Sequence, residues 1–190
     1  MKTIDLTNVQ EVQDERLCAG GYVCVLETVT DVPAKEYLKI EYDIAEGNFK
    51  GYYSDLFSNR GFWGGTFYRS YKEKALSFFK GFITAVEKSN YGYKWNNDET
   101  SLNNKKIGLV LGEEEYRAND GSVKKRLYVH KTLSVDDIHF NKFTVPPLKT
   151  LQAGSTPTVV SSHNGTNNSS QAEQELSQMI DILGTGDLPF

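Results

Sequence analysis

The chain has 190 residues, of which 38% are hydrophobic and 24% charged, and its formal net charge is −4. That length suits one ordinary domain plus an appendage, since a body of roughly 150 residues can bury a self-sufficient core. No stretch approaches the roughly 20 apolar residues of a membrane-spanning helix, and Cys18 and Cys24 lack the paired spacing of a zinc site, so an anchored protein, a disulfide scaffold and a zinc module are set aside.

Met1-Lys2-Thr3-Ile4-Asp5 carries no apolar run behind its single Lys, so no export signal is expected and the cysteines read as reduced thiols of a cytoplasmic protein. Gly21 to Val29, rich in Val, Thr and Tyr, predicts a strand; Leu38, Ile40, Tyr42 and Ile44, alternating with Lys39, Glu41 and Asp43, predict a second. Gly47-Asn48 offers a turn into Phe49-Lys50-Gly51-Tyr52-Tyr53, which is expected to return as a third strand. Strand parity would then set Lys50 and Tyr52 outward, opposite Phe49 and Tyr53. Residues 54–71, with Gly61, Gly64 and Gly65 among aromatics, predict an irregular excursion holding a short strand near Thr66–Arg69.

From Glu73 to Ser89 the period changes to 3.6, and Ala75, Phe79, Phe82 and Val86, flanked by Leu76 and Ile83, form the stripe of an amphipathic helix. Strands are expected at Lys105–Tyr116 and Val123–His130, joined through Asn119-Asp120-Gly121-Ser122, and Ser134-Val135-Asp136-Asp137 reads as a capped helix start. Three strands, one helix and two strands make a mainly β chain. The arrangement predicted is an OB-type five-stranded barrel with its helix between strands three and four; the ligand face is then strands two and three, with the loops joining strands one to two and four to five.

Pro146-Pro147 is expected to end the folded body, giving a binding domain over 1–150 and a tail over 151–190. Residues 151–170 are mostly Gly, Ser, Thr and Asn, the composition of a flexible linker. Beyond them, Ser170 and Glu173 have capping-box spacing and Leu176, Met179, Ile180 and Leu183 recur at helical intervals, predicting a short helix over 170–183 that forms against a partner. Charge divides along the same boundary: all 21 Lys and Arg lie in the body, which is neutral, and the tail carries the whole −4.

Within the body, 15 of the 23 aromatic residues fall between Phe49 and Trp95, and Gly47 to Trp95 holds eight cations against Asp55, Glu73 and Glu87. Aromatic faces stack on unpaired bases irrespective of sequence while cations follow the phosphates. Phe78, Phe79 and Phe82 have core spacing and are discounted. The candidate contacts are Lys50, Tyr52, Tyr53, Arg60, Phe62, Trp63, Tyr68, Arg69 and Lys72, with Trp63 and its neighbours as a stacking platform. An aromatic core with a solvated basic rim produces the same pattern. Lys124-Lys125-Arg126 adds a second basic cluster where an OB barrel places its last loop, although Glu113-Glu114-Glu115 lies across the hairpin to pair with it.

No phosphate-binding Gly-x-x-x-x-Gly-Lys, His-Glu-x-x-His or Gly-x-Ser-x-Gly occurs, so no catalytic group and no cofactor is expected. Asp136, Asp137 and His139 with His130 form the one weak metal alternative, and a metal-dependent nuclease rests on them alone.

Gly186-Asp187-Leu188-Pro189-Phe190 resembles the tip of bacterial single-stranded DNA-binding proteins, an acidic run closed by an apolar residue, Pro and Phe. The resemblance implies that Phe190 fills a partner's pocket, Leu188 and Pro189 shape the approach and Asp187 supplies charge, although the family's run of several Asp is reduced here. Phe49-Lys50-Gly51-Tyr52-Tyr53, Lys80-Gly81-Phe82-Ile83 and Ile107 to Tyr116 are similar to small single-stranded DNA-binding proteins encoded by phages and prophages of Gram-positive bacteria. What this implies is sequence-tolerant binding of single-stranded DNA in phage replication or recombination, in the host cytoplasm, with replication proteins recruited by the tip. Formation of homo-oligomers is compatible with it. The alternative from another class is an adaptor that uses barrel and tip for protein contacts without touching DNA.

Overall fold

The computed structural model describes residues 16–151. The five strands, β1 (Gly20–Val32), β2 (Tyr37–Ile44), β3 (Thr66–Ser70), β4 (Lys106–Arg117) and β5 (Val123–Leu133), form one open antiparallel sheet in the order β3-β2-β1-β4-β5. Three α-helices accompany it: α1 (Tyr52–Arg60), α2 (Leu76–Ser89) and α3 (Val135–His139).

β1 serves both halves of the sheet. Its first half pairs with β4, from Gly20↔Leu111 to Val25↔Lys106, and its second half pairs with β2, from Cys24↔Ile44 to Val32↔Tyr37, with a bulge between Leu26 and Thr28. A bulge bends a strand and raises its twist, which turns the two halves about one another. The inner face carries Cys24, Leu26, Val29, Leu38, Ile40, Tyr42, Phe67, Ile107, Leu109 and Leu111, all buried. α2 lies against β3, β4 and β5 and inserts Phe82, Ile83, Ala85 and Val86 into this core, with Phe82 edge-on to Phe67 at 6.1 Å. The helical stripe read from the sequence is therefore the buried one, except that Leu76 is 48% exposed; Phe78, discounted as core, is 62% exposed.

The third strand is not the one expected. Phe49–Tyr53 does not return as a strand: Gly47 and Gly51, both at positive φ, turn the chain into α1, and β3 is the short segment at Thr66–Ser70. Asp43 is the cause. Its side chain, 3% exposed at the end of β2, accepts from the backbone N–H of Ile44 (2.7 Å) and Tyr53 (2.9 Å) with one oxygen, and from Ser54 N–H (3.0 Å) and Oγ (2.6 Å) with the other. A carboxylate on these orphan N–H groups caps the helix from a distant strand, where Gly51 offers no side-chain cap. The parity assignment of Lys50 and Tyr52 as outward strand residues fails with it.

The remaining elements fall close to expectation. Gly121 at positive φ and Asp120 accepting from Ser122 N and Oγ close the β4–β5 turn, and Ser134 with Asp137 makes a capping box on α3. Pro146-Pro147 does not end the packed chain: Lys149 bridges to Glu114, its N–H donating to Glu113 O and its carbonyl accepting from Glu115 N, so the segment adds to β4 where β1 has left it.

Candidate nucleic-acid interface

The outer face of the sheet is covered on one side only. Over β1 and β4, Val23 and Val110 pack with Ile138 of α3 and with Phe143 in a second small core. Three glycines make room for this roof: the Phe143 ring lies over Gly21, Ile138 and the Ser134 carbonyl over Gly108, and Pro146 and Tyr128 over Gly112.

Over β2 and β3 the outer face is a polar grid. Register sets Thr28, Glu41 and Thr66 in one row, Thr30, Lys39 and Tyr68 in the next, and Val32, Tyr37 and Ser70 in the third. These positions alternate with the buried Val29, Leu38, Ile40 and Phe67, so they share the opposite face. Tyr68 stands edge-on to Tyr37 at 5.2 Å, Lys39 Nζ meets Glu41 Oε1 at 2.7 Å, and Thr28 and Thr30 are exposed. Tyr68 was expected among the contacts; Lys39, which stands beside it on this face, was not among them, and Tyr37 is buried at 8% exposure. The signal was in the sequence, because Lys39 sits in the alternation of the second strand, but the misplaced third strand hid which residues stand beside it.

The other expected contacts divide into two groups. Around α1, Lys50 and Arg60 are exposed, Phe57 and Phe62 are 51% and 40% exposed, and Tyr52 and Trp63 are half-buried. Trp63 leans on Tyr53 (6.5 Å) and meets Phe57 edge-on (6.2 Å), while its indole N–H donates to Gly65 O at 3.0 Å, an arrangement that fixes the ring at the surface. Gly65 is obligatory there, since a Cβ would run into the Tyr42 carbonyl and the Tyr53 ring. Tyr53 itself is core: it is 5% exposed, its hydroxyl is 3.4 Å from that of Tyr42, and burial pushes both phenols upward in pKa, so it cannot stack on a base. Arg69 points inward on β3, its guanidinium 4.8 Å from the Phe67 ring centre and donating to Tyr68 O; burial pulls it down to about 10, which leaves it charged at neutral pH. Lys72 follows β3 and is half-buried.

In the β4–β5 arm, the facing runs pair. Arg126 Nε donates to Glu114 Oε1 at 2.8 Å and stacks over Tyr116, Lys149 lies 3.8 Å from Glu114, and Lys124 is 3.6 Å from Asp120. Lys125 is exposed, and its carbonyl accepts from Arg16 at 3.0 Å. The α1 cluster, the β2–β3 grid and the arm are thus built from different stretches of chain. Asp187, Leu188, Pro189 and Phe190, and the helix expected over 170–183, lie outside the described residues.

Elsewhere, Asp137 is taken up by the α3 cap and His139 Nε2 lies 2.8 Å from Glu46, which also meets Lys106 at 2.8 Å. Among the described residues no group of His, Cys, Asp or Glu is arranged to hold a metal ion, and no helix is long and apolar enough to cross a membrane. Cys18 and Cys24 are free thiols. Compared with known proteins, the chain matches no protein-family model and no curated relative.

Proposed function

We propose that this protein binds single-stranded DNA with little regard to sequence and performs no chemistry on it. The observation that carries the reading is the one-sided cover of the sheet: the outer face is roofed where β1 pairs with β4 and left to a hydroxyl-rich grid with Tyr68 and Lys39 over β2 and β3, where Tyr37 is buried beneath Tyr68 at 8% exposure. The open sheet's strand order β3-β2-β1-β4-β5, with α2 inserted between β3 and β4 and packed against both outermost strands, supports reading it as an OB-type barrel left open between its third and fifth strands. In that fold the same β2–β3 face and its flanking loops hold oligonucleotides. Tyr68 supplies a ring, Lys39 a phosphate contact, and Trp63 with Phe62, Arg60 and Lys50 extends the surface along α1. Lys124 and Lys125, on the β4–β5 arm, are offered as further phosphate contacts.

On this reading the acidic tail and its Asp187-Leu188-Pro189-Phe190 tip recruit replication or recombination proteins, as the tip's resemblance to that of bacterial single-stranded DNA-binding proteins suggests. Titration of the full chain with oligo-dT tests it directly. Trp63 fluorescence quenches, affinity falls as salt rises, and duplex of equal length binds less well. A flat titration at low salt overturns it.

The exposed Phe57 and Phe62 favour a second reading, a protein-docking adaptor that leaves DNA alone. Deleting residues 187–190 separates the two, because an adaptor loses partner capture while a DNA binder keeps its oligonucleotide affinity.

A further inference from the structure

The centre of the β2–β3 grid holds a pair that a polyanion-binding face does not need. Lys39 and Glu41 are two apart on β2 and so point to the same side; their side chains keep 40% and 27% of their exposure, and they are joined at 2.7 Å. Neighbours across the sheet bring no other charge: Thr30 and Tyr68 flank Lys39, and Thr28 and Thr66 flank Glu41. The Glu41 carboxylate therefore gives Lys39 Nζ the kind of charge-assisted oxygen contact that a phosphate would give it.

We propose that Glu41 is an internal stand-in for phosphate, a residue that sets how tightly the face holds a strand. The proposal rests on the single-stranded DNA reading above. A strand engages Lys39 only by displacing Glu41, which is then left beside the incoming phosphates. The pair keeps Lys39 ordered in the free protein and lowers its yield of released counterions on binding. The result is a face that lets go of the strand readily and resists occupation by small anions.

The test uses the full chain, fluorescein-labelled oligo-dT and anisotropy at four salt concentrations. Glu41→Gln is expected to bind about fivefold tighter at low salt, the scale of one surface ion pair, and to steepen the slope of log K against log salt by about 0.7, one additional phosphate neutralised. Lys39→Met is expected to flatten the slope, and adding Glu41→Gln to Lys39→Met restores little, since the cation it frees is gone. Glu73→Gln, at an exposed position ahead of α2, controls for the unit change in net charge. Glu41→Gln binding no better than Glu73→Gln, with an unchanged slope, overturns the proposal while the wild type still binds. An equal gain from Glu41→Gln with and without Lys39 also overturns it, because Glu41 then acts only as bulk charge. A wild type that ignores oligo-dT at low salt overturns the functional reading itself.

Discussion

The two halves of the outer sheet face start from one backbone and end in opposite surfaces. Where β1 pairs with β4 the outward positions are Gly21, Val23, Gly108, Val110 and Gly112, residues that are small or apolar, and the chain after β5 folds back to cover them with Ile138, Phe143 and Pro146. On β2 and β3, apart from the buried Tyr37 and the Asp43 that caps α1, they are Thr, Ser, Tyr, Lys and Glu, whose polar groups lose hydration if an apolar layer covers them. Absence of a side chain invites a roof, and presence of hydroxyls and charge refuses one. Which half of a sheet is left for a ligand is thus decided by what its outward positions lack.

The strongest break of this contrast is on the roofed side. Gly108→Val places carbon where Ile138 Cγ1 lies 2.5 Å and the Ser134 carbonyl 2.6 Å from the new Cβ, and is expected to cost about 2–3 kcal/mol of stability in urea unfolding, while the fraction still folded binds oligo-dT as before. Asp43→Asn puts an amide donor against the donors of Ser54; a loss of about 2 kcal/mol is expected, with hydrogen exchange accelerating first over Tyr52–Arg60. On the open side, Tyr68→Ala should weaken oligo-dT binding by about 1.5 kcal/mol, whereas Phe143→Ala in the roof lowers stability without changing affinity; equal losses of affinity from both would erase the distinction between the faces. Arg126→Ala leaves Glu114, whose side chain is 11% exposed, with Lys149 at 3.8 Å as its other ion pair among the described residues, and about 1 kcal/mol of stability should go with it.

The smallest effect is one of pH. Burial first, then Lys149 and Lys131, hold His130 below its ordinary 6.5. The unfolded chain therefore takes up a proton before the folded one does, so stability is fully present above about pH 6.5 and declines as pH falls through the folded value. His130→Gln removes that part of the slope in denaturation midpoints measured across the range.

Much of the fold was legible because period and burial agree. Leu38, Ile40, Tyr42 and Ile44 alternate and are buried; Phe82, Ile83 and Val86 recur at helical spacing and are buried; Asp120-Gly121 reads as a turn and is one. What was not legible depended on a residue acting out of its own element. Asp43 looks like an outward polar residue of a strand, and nothing in its neighbourhood announces that its carboxylate starts a helix nine residues on. Once Phe49–Tyr53 was read as the third strand, Tyr53 became a candidate stacking residue instead of core, and the true neighbours of Lys39 were lost from view. Phe78 misled in the other direction, since its place among other aromatics suggested burial that α2 does not give it.

The shared strand has a consequence for how quickly this molecule assembles. β1–β2 and β4–β5 are hairpins between near neighbours in sequence, but the pairing of Gly20–Val25 with Lys106–Leu111 joins segments about 80–90 residues apart, and so carries the loop-closure entropy of most of the domain. Two local hairpins come first, and their union along β1 is the slow event. Substitutions in the Asp120–Ser122 turn, which forms before that event, should then change the folding rate far more than the unfolding rate, while those at Val23 and Leu109, whose strands meet at the seam, divide their effect between the two rates.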